Sequence, residues 1–313
     1  MASTYLITGG AGFIGSHLTL HLIEGGERVK VLDNFSSRPR SEFEDLLGPL
    51  ASGVEIIEAD LRDRSACKIA AANADYVLHH AAMASVPASI ERPEDCVAIN
   101  VLGTTNLLNE VAVLGRCKRF VFASSSALYG NLLPVTKTES SALDPLSPYA
   151  TSKLAGELLC RNFTSIYGLP TVCLRYFNVY GARQDPNGPY AAVIPKFIEA
   201  VLAGNRPVIF GDGGQSRDFV SVSDVVQVNV RSCIANATIV SGKAFNIGSG
   251  RQTTLNDLVK VVSSIIGRPV EAQYLPARIG DIRHSLADIG LALDLLNFRP
   301  AVSFEDGIRR LLL

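Results

Sequence analysis

Apolar and polar positions follow two patterns along the first 180 residues. Short runs rich in valine, isoleucine, leucine and aromatic residues are apolar almost throughout, and longer stretches between them have apolar residues at helical spacing. Strands that are apolar on both faces are typical of parallel sheets covered by helices on both sides. The pattern therefore predicts an α/β fold with a Rossmann-type, doubly wound parallel sheet. The predicted strands are TYLITGG (4–10), RVKVLDN (28–34), VEIIEAD (54–60), YVLHHAA (76–82), RFVFASSS (119–126) and TVCLRYFN (171–178).

The pattern changes after about residue 180, where clusters of glycine, proline and aspartate predict loops. The segment TTLNDLVKVVSSIIG (253–267) predicts a helix that starts at threonine and stops at glycine. We expect a smaller α/β C-terminal substrate lobe. Residues 1–178 would form the cofactor-binding domain and 179–313 mainly the lobe, with segments near 218–248 returning to the first domain. AFNIGSG (244–250) is a candidate for a strand that rejoins the main sheet.

Composition excludes several function classes. The chain has 313 residues, 47% of them apolar, which suffices for a large core, and its formal charge of −1 argues against nucleic acid as a partner. No run reaches the roughly 20 apolar residues of a membrane span. The six cysteines are scattered without a CxxC spacing, which predicts reduced thiols and no metal site. Without a signal-peptide pattern at its start, the chain is expected to be cytoplasmic.

A glycine motif lies between the first predicted strand and the first predicted helix. TGGAGFIG (8–15) has glycines at Gly9, Gly12 and Gly15, and such glycines permit a tight turn and close approach of the backbone to a diphosphate. The following helix would direct its free N–H groups, near Phe13 and Ile14, at that anion. This half of the chain is therefore predicted to bind a dinucleotide.

Acidic residues at the ends of the next two strands indicate which dinucleotide. Asp33 closes RVKVLDN, where a carboxylate can accept both hydroxyls of an adenosine ribose and would repel a 2′-phosphate. NAD is therefore favoured, although Arg38 and Arg40 leave NADP as an alternative. Asp60 ends the following strand and could either meet the adenine or cap a helix.

Tyr149 and Lys153 share one helix face, because they are four residues apart in a helix that Pro148 would start. A tyrosine with a pKa near 10 is ionised about one time in a thousand at neutral pH. A nearby ammonium and a positive nicotinamide ring are the charges that would favour the phenolate. Serines 124–126 end the preceding strand, where ligands of parallel sheets bind, and could hydrogen-bond an alcohol oxygen. The pair is thus a candidate acid/base site for an alcohol.

These motifs together resemble the extended short-chain dehydrogenase/reductase family. Besides TGGAGFIG, SSSALYG (124–130) and the Tyr149/Lys153 pair, the chain contains LRYFNVYG (174–181), RDFV (217–220) and RIGD (278–281) in the order that this family has them. The resemblance covers the whole chain and narrows to the UDP-hexose 4-epimerases. It implies an NAD-dependent enzyme that acts on a UDP-sugar, and a homodimer formed by the helices near 100–114 and 149–167.

The resemblance also implies roles for individual residues. Tyr149 would be the acid/base, Lys153 would hold the nicotinamide ribose, and Ser125, with Ser126 close by, would bridge to O4 of the sugar. The implied cofactor-binding residues are Gly9, Gly12, Phe13, Ile14, Gly15, Asp33, Asn34, Asp60, Leu61, Ala81, Ala82, Ala84, Asn100, Ser124, Tyr149, Lys153, Tyr176 and Phe177. The implied substrate-binding residues are Ser125, Ser126, Tyr149, Asn178, Ala192, Val193, Lys196, Arg217, Arg278, Asp281 and Ser285.

Two small residues distinguish between reactions and between sugars. Related dehydratases have an Asp-Glu pair at the positions of Ser126 and Ala127, and related decarboxylases have a glutamate at the second of these positions. This chain lacks those carboxyl groups, so neither reaction is expected. Epimerases restricted to UDP-glucose have a tyrosine at Ser285, and a serine leaves space for an N-acetyl group. We therefore expect C4 inversion of UDP-GlcNAc/UDP-GalNAc as well as UDP-Glc/UDP-Gal. A UDP-glucuronate 4-epimerase and a non-catalytic dinucleotide sensor are the alternatives.

Overall fold

A computed structural model describes residues 2–184, 193–277 and 283–312 of the chain. Its centre is a seven-stranded parallel sheet in the order β12-β7-β5-β4-β1-β2-β3. The strands, in chain order, are β1 (Thr4–Thr8), β2 (Arg28–Asp33), β3 (Val54–Glu58), β4 (Tyr76–His79), β5 (Arg119–Ser125), β6 (Thr136–Lys137), β7 (Thr171–Tyr176), β8 (Asn178–Tyr180), β9 (Val208–Phe210), β10 (Ser216–Arg217), β11 (Phe219–Ser221), β12 (Lys243–Ile247), β13 (Thr253–Thr254), β14 (Gln273–Leu275) and β15 (Leu286–Ala287).

Helices cover both faces of this sheet. In chain order they are α1 (Phe13–Glu24), α2 (Arg40–Leu47), α3 (Arg64–Ala71), α4 (Val86–Glu91), α5 (Pro93–Val97), α6 (Thr104–Leu114), α7 (Pro148–Tyr167), α8 (Val193–Leu202), α9 (Val222–Ile234), α10 (Ala237–Val240), α11 (Leu255–Ile266), α12 (Gly290–Leu296) and α13 (Phe304–Leu312). A π-helical turn, Ala98–Gly103, joins α5 to α6, and 3₁₀ turns span Gly48–Gly53 and Ser126–Tyr129.

The sheet confirms the fold class that the sequence predicts. All six predicted strands are in it, and the segment 244–250 also returns to it, as β12 beside β7. Helix α9 has no counterpart in the sequence interpretation, because its many valines favour strands. Its buried valines nevertheless recur at helical spacing, at Val222, Val225 and Val226.

Apolar side chains form a core on each face of the sheet and a third core beyond it. Leu18 of α1 and Val225 of α9 pack on one face, and Leu107 of α6 and Phe163 of α7 pack on the other. The third core lies among α8, β11, α11 and α13, and Val201 of α8 is fully buried in it. The proposed division between residues 178 and 179 stays a prediction.

The order of strands determines where a ligand can bind. The chain adds β2 and β3 on one side of β1, and then crosses to add β4, β5 and β7 on the other. Ligands of such sheets bind at the carboxyl ends of the strands, near this change of direction. Most predicted cofactor residues follow those ends, including Phe13, Ile14, Asn34, Leu61, Ala82, Ala84 and Phe177.

Candidate active site

The glycine motif forms a tight turn between β1 and α1. Gly9 has φ of +69°, its N–H donates to Leu32 O at 2.9 Å, and Gly12 N–H donates to Gly9 O at 3.1 Å. A Cβ on Gly15 would collide with Gly9 O, and a Cβ on Gly9 would lie 2.7 Å from Ala81 N. The turn therefore packs too closely against α1 and the loop after β4 for side chains at these two glycines, and it brings the N-terminus of α1 to the end of β1, an arrangement that fits a dinucleotide diphosphate.

Asp33 is held in place at the end of β2. Its Oδ2 accepts from Ala11 N at 2.9 Å and its Oδ1 accepts from Phe35 N at 2.8 Å. Burial raises the pKa of this carboxyl, against the effect of these hydrogen bonds. The carboxylate oxygens retain further lone pairs, so the group fits the ribose hydroxyls of NAD.

Asp60 is paired with Arg62, a residue outside the predicted site. Arg62 donates from Nε and Nη2 to the two carboxylate oxygens, each at 2.9 Å, and lowers the pKa of Asp60 to about 2. Asn34 Nδ2 also donates to Asp60, at 3.0 Å. Asp60, the predicted adenine contact, therefore has part of its negative charge balanced by Arg62.

Helix α7 begins at Pro148 and places the candidate acid/base pair in its first two turns. Ser147 caps it by accepting from Ala150 N at 3.1 Å. The Lys153 Nζ lies 5.8 Å from the centroid of the Tyr149 ring and donates to Ala123 O at 2.8 Å. Burial lowers the pKa of Lys153 to about 8.

The pKa of Tyr149 is raised in the protein by itself, whereas the sequence interpretation expected it to be lowered. Burial is the largest cause, because it disfavours the phenolate, and hydrogen bonding with the Ser125 side chain acts in the opposite direction. Lys153 does not offset this burial. Tyr149 is therefore a neutral phenol in the protein alone, and its ionisation needs further positive charge next to the ring.

Asn100, in the π-helical turn, connects the loop at Met83 to helix α7. Its Oδ1 accepts from Met83 N at 2.8 Å, and its Nδ2 donates to Met83 O at 3.1 Å and to Ser152 Oγ at 2.9 Å. Ser152 Oγ in turn donates to Tyr149 O at 2.7 Å. Asn100 is 2% exposed, so its side chain supports the backbone of the site from the interior.

Ser124 is directed away from the cavity and into a buried polar network. Its hydroxyl donates to Glu157 Oε1 at 2.5 Å, and Glu157 also pairs with Arg175. Arg175 Nη1 donates to the hydroxyl of Tyr129 at 2.8 Å. Sequence reasoning did not select Glu157, although it continues the i, i+4 series of Tyr149 and Lys153 on α7. The proposed cofactor role of Ser124 stays a prediction.

Two histidines end β4, and both have interior partners. His79 Nδ1 and Nε2 lie 2.6 and 2.8 Å from the hydroxyls of Thr8 and Thr104, so His79 is a histidine of the core. His80 Nε2 lies 3.1 Å from the Tyr176 hydroxyl, and burial lowers the pKa of His80 to about 3. Tyr176 is thereby held by its hydroxyl while its ring contributes to the cavity.

A cavity of about 230 Å³ collects most of the predicted sugar contacts. Sequence reasoning selected eight of its residues and also considered Ala127, but it gave no role to Val86, Tyr129, Gly130, Lys137 and His284. The lining residues are Val86, Ser125, Ser126, Ala127, Tyr129, Gly130, Lys137, Tyr149, Tyr176, Phe177, Asn178, Arg217, His284 and Ser285. We call it the sugar cavity.

A second cavity of about 580 Å³ adjoins the first and shares Asn178 and Arg217 with it. Lys196, Arg206 and Arg217 make its described lining basic, and aromatic side chains such as Phe210 complete it. We call it the nucleotide cavity. The predicted Val193 and Lys196 line it, whereas the predicted Ala192, Arg278 and Asp281 lie outside the described residues.

Comparisons with known proteins give one consistent result. Residues 5–248 match the model of the NAD dependent epimerase/dehydratase family. The UDP-glucose 4-epimerase of Mycolicibacterium smegmatis is 35% identical over 306 residues, which are 97% of this chain and 96% of that protein. The UDP-N-acetylglucosamine 4-epimerase of Methanobrevibacter ruminantium, solved with UDP-N-acetylmuramic acid, superposes with a TM-score of 0.93 at 40% identity and covers 100% of this chain and 98% of that one. The UDP-glucuronic acid 4-epimerase of Bacillus cereus, solved with UDP-glucuronic acid and NAD, has a TM-score of 0.88 at 31% identity and covers 98% and 97%.

Proposed function

The chain belongs to the NAD dependent epimerase/dehydratase family, and on that premise we propose that it inverts C4 of a UDP-hexose. The observation that carries this proposal is the sugar cavity itself. Tyr149 and Ser125 line this cavity, and Arg217 lines both it and the basic nucleotide cavity. Ala127 also lines it and lacks the carboxyl group that the loss of water or of CO₂ would need.

Tyr149 would move the proton of the reaction. Bound NAD supplies a hydride acceptor and donor and a positive charge beside the phenol. In its ionised form Tyr149 would take the proton from the 4-hydroxyl as C4 gives up its hydride, and Ser125, whose side chain interacts with Tyr149, would orient that hydroxyl. After the flat 4-keto sugar has turned over and C4 has regained the hydride on its opposite face, Tyr149 would return the proton to O4. The ammonium of Lys153 lies close to the Tyr149 ring. It would donate hydrogen bonds to the nicotinamide ribose and would balance the charge of the phenolate.

The two cavities suit the two ends of a nucleotide sugar. The diphosphate would lie at Asn178 and Arg217, because only a group between the nucleoside and the hexose can reach residues that both cavities share. Arginine is well suited to such an oxyanion. Binding energy would then come from the nucleotide, and the hexose would be free to present either face to Tyr149.

The composition of the sugar cavity favours inversion over loss of water or of CO₂. Ser126 and Ala127 line it, and neither carries the carboxyl group that those reactions need. Inversion needs only one group that takes a proton and returns it, and Tyr149 provides it.

Ser285 supports acceptance of N-acetylated sugars in addition to plain ones. It lines the sugar cavity, and its N–H donates to Ser216 O at 3.2 Å, which fixes the small side chain at the wall. A UDP-hexuronate is the alternative substrate. Two cations near this region have other surroundings, since Arg283 pairs with Asp212 at 2.8 Å and Lys196 lines the nucleotide cavity.

A homodimer through α5, α6 and α7 is also part of the proposal. The stretch Pro93–Leu114 is, within the described residues, the one helical stretch whose length and apolar composition would suit a membrane span. It packs on α3 and α7 and leaves Val97 and Val113 exposed, and α7 exposes Leu158 and Ile166. An apolar surface of this kind suits a second copy of the chain. Residence in the cytoplasm stays a prediction.

A direct assay tests the function. Purified protein without added cofactor is incubated with UDP-glucose, UDP-GlcNAc and UDP-glucuronate, and the products are identified by NMR. Formation of the C4 epimer of at least one of them is expected, because NAD is regenerated within each turnover. Absence of any C4 epimer, with and without added NAD, would contradict the proposal.

A further inference from the structure

His80 lies between the glycine turn and the wall of the sugar cavity. Its backbone N–H donates to Thr8 O at 3.0 Å, directly before the turn, and a Cβ on Gly9 would lie 2.9 Å from His80 C. Its side chain places Nε2 at 3.1 Å from the hydroxyl of Tyr176. One residue therefore contacts both the turn that is proposed to hold NAD and a residue of the sugar cavity.

Tyr176 belongs to the part of the sugar cavity where the proposed chemistry takes place. It pairs in register with Ser125 across β7 and β5, and both residues line the cavity together with Tyr149. The three residues share a cavity of only about 230 Å³. Displacement of the Tyr176 ring would therefore alter the space beside Ser125 and Tyr149.

The hydroxyl of Tyr176 is held inside the protein by two residues. Asn229 of α9 is fully buried, and its Nδ2 donates to this hydroxyl at 2.9 Å and to Val225 O at 2.7 Å. The imidazole of His80 lies nearly parallel to the phenol ring, with 18° between the planes and 6.0 Å between the centroids. Tyr176 is itself buried, so the loss of a partner would leave a polar group short of a hydrogen bond and the ring less firmly placed.

His80 is not placed to exchange a proton with the sugar. It is absent from the described lining of the sugar cavity, and burial lowers its pKa to about 3, so its imidazole is neutral at physiological pH. It also differs from its neighbour His79, whose ring nitrogens contact Thr8 and Thr104. The contact of His80 with the sugar cavity is the one with the Tyr176 hydroxyl.

We propose that His80 is a positioning residue for C4 inversion, because it holds the Tyr176 ring in place beside Ser125 and Tyr149. The inference rests on the proposed function and adds to it a residue that neither touches the sugar nor transfers a proton. With the ring fixed, the hexose would turn over only within the space that Tyr149 and Ser125 can reach. Loss of His80 should therefore slow the conversion of bound substrate and leave the binding of the nucleotide unchanged.

The test is a double-mutant cycle between His80→Phe and Tyr176→Phe, which removes the contact from either side. Each single variant should lower kcat per bound NAD by about 10- to 100-fold, as expected when a group of the site is displaced by about 1 Å. In the Tyr176→Phe background, His80→Phe should lower kcat by less than about a further twofold, since both changes remove the same hydrogen bond. The Kd of UDP, measured by calorimetry, should change by less than about twofold, because neither residue is in the described lining of the nucleotide cavity.

His80→Gln and His80→Asn separate positioning from folding. A glutamine amide reaches close to the place of Nε2 and should restore most of kcat, whereas the shorter asparagine should not. The pH profile of kcat should keep its shape in every variant, because His80 is neutral throughout the working range. Tyr274→Phe is the matched control. It removes a hydroxyl that bonds Asn256 at 2.9 Å on the surface, and it should leave kcat unchanged with and without His80→Phe.

The inference is overturned if His80→Phe keeps kcat within about twofold of the wild type, or if the losses of the two single variants multiply in the double variant. Equal kcat values for His80→Gln and His80→Asn would also overturn it. So would a pH profile that loses one limb in the His80 variants, because His80 would then transfer a proton. Failure of the proposed function has a different sign, since the wild-type protein would then invert no UDP-sugar.

Discussion

Glu157 and Arg175 form a bidentate ion pair inside the protein, with Nε–Oε1 and Nη2–Oε2 distances of 2.9 and 2.7 Å. Both side chains are more than nine-tenths buried. The pair also holds Ser124, at the end of β5, and Tyr129, in the wall of the sugar cavity. It therefore connects the stability of the core with the shape of the site.

Replacement of Arg175 by methionine should lower the free energy of unfolding by about 3–5 kcal/mol, because the Glu157 carboxylate is left buried without its partner. Urea denaturation of the ligand-free protein measures this loss. The exposed pair of Arg40 with Glu44 provides the control, and Arg40→Met should cost less than about 1 kcal/mol. A loss below about 1 kcal/mol for Arg175→Met would show that the ion pair contributes little.

Tyr149→Phe should lower kcat by about 10²- to 10⁴-fold, since it removes the group that moves the proton. The Kd of the UDP-sugar, measured by calorimetry, should change little, because the nucleotide provides most of the contacts. Tyr167→Phe, at an exposed position of the same helix, is the matched control. An active Tyr149→Phe variant would exclude Tyr149 as the acid/base.

Ser285→Tyr should reduce kcat/KM for UDP-GlcNAc by at least about tenfold relative to UDP-glucose, because the larger side chain fills space in the sugar cavity. Competition between the two substrates in one reaction gives the ratio directly. Ser140→Tyr makes the same exchange at an exposed position and should leave the ratio unchanged. If Ser285→Tyr also leaves it unchanged, other residues select the sugar.

Gly15→Ala should abolish retention of NAD, because the new methyl group would collide with Gly9 O and displace the turn that forms the cradle. The NAD content of the purified protein, determined after denaturation, measures retention. At Gly53 the nearest atom to an added Cβ is 3.8 Å away, so Gly53→Ala should keep the NAD content of the wild type. Full NAD content in Gly15→Ala would contradict the assignment of the cradle.

The low pKa of Lys153 should be visible in the pH dependence of stability. Between about pH 8 and 10.5 the folded protein has released this proton and the unfolded chain has kept it, so the free energy of unfolding rises with pH. Relative to Lys153→Met, the ligand-free wild type should gain up to about 3 kcal/mol across this range. Lys68→Met, at an exposed position, controls for the loss of a lysine. A constant difference between wild type and Lys153→Met would show that the pKa is not lowered.

Features that depend on nearby residues could be predicted from the sequence. The strands, the turn at Gly9 to Gly15, the start of α7 and the shared face of Tyr149 and Lys153 all follow from local patterns, and NAD follows from Asp33 at a fixed distance along the chain. The sugar cavity also contains residues, such as Ser285, whose place in the site could be predicted only from the order of motifs in the family.

Features that depend on distant contacts could not be predicted. Lys137 lies in a segment without a motif and reaches the sugar cavity because β6 pairs with the distant strand β15, with Lys137 opposite Ala287. The pairing of Arg62 with Asp60 has no pattern in the sequence that would predict it. The raised pKa of Tyr149 was missed because the sequence shows the neighbouring charge but not the degree of burial.

The hydrogen bonds of Asn100 tie the loop at Met83 to the backbone of α7 through Ser152. Two segments that would face the cofactor and the substrate therefore share a single buried anchor. Both segments should therefore be protected from amide exchange as long as the bonds of Asn100 hold. The proposed acid/base Tyr149 is in this respect held in place by a residue of the interior, and the sugar would be the component with freedom to turn.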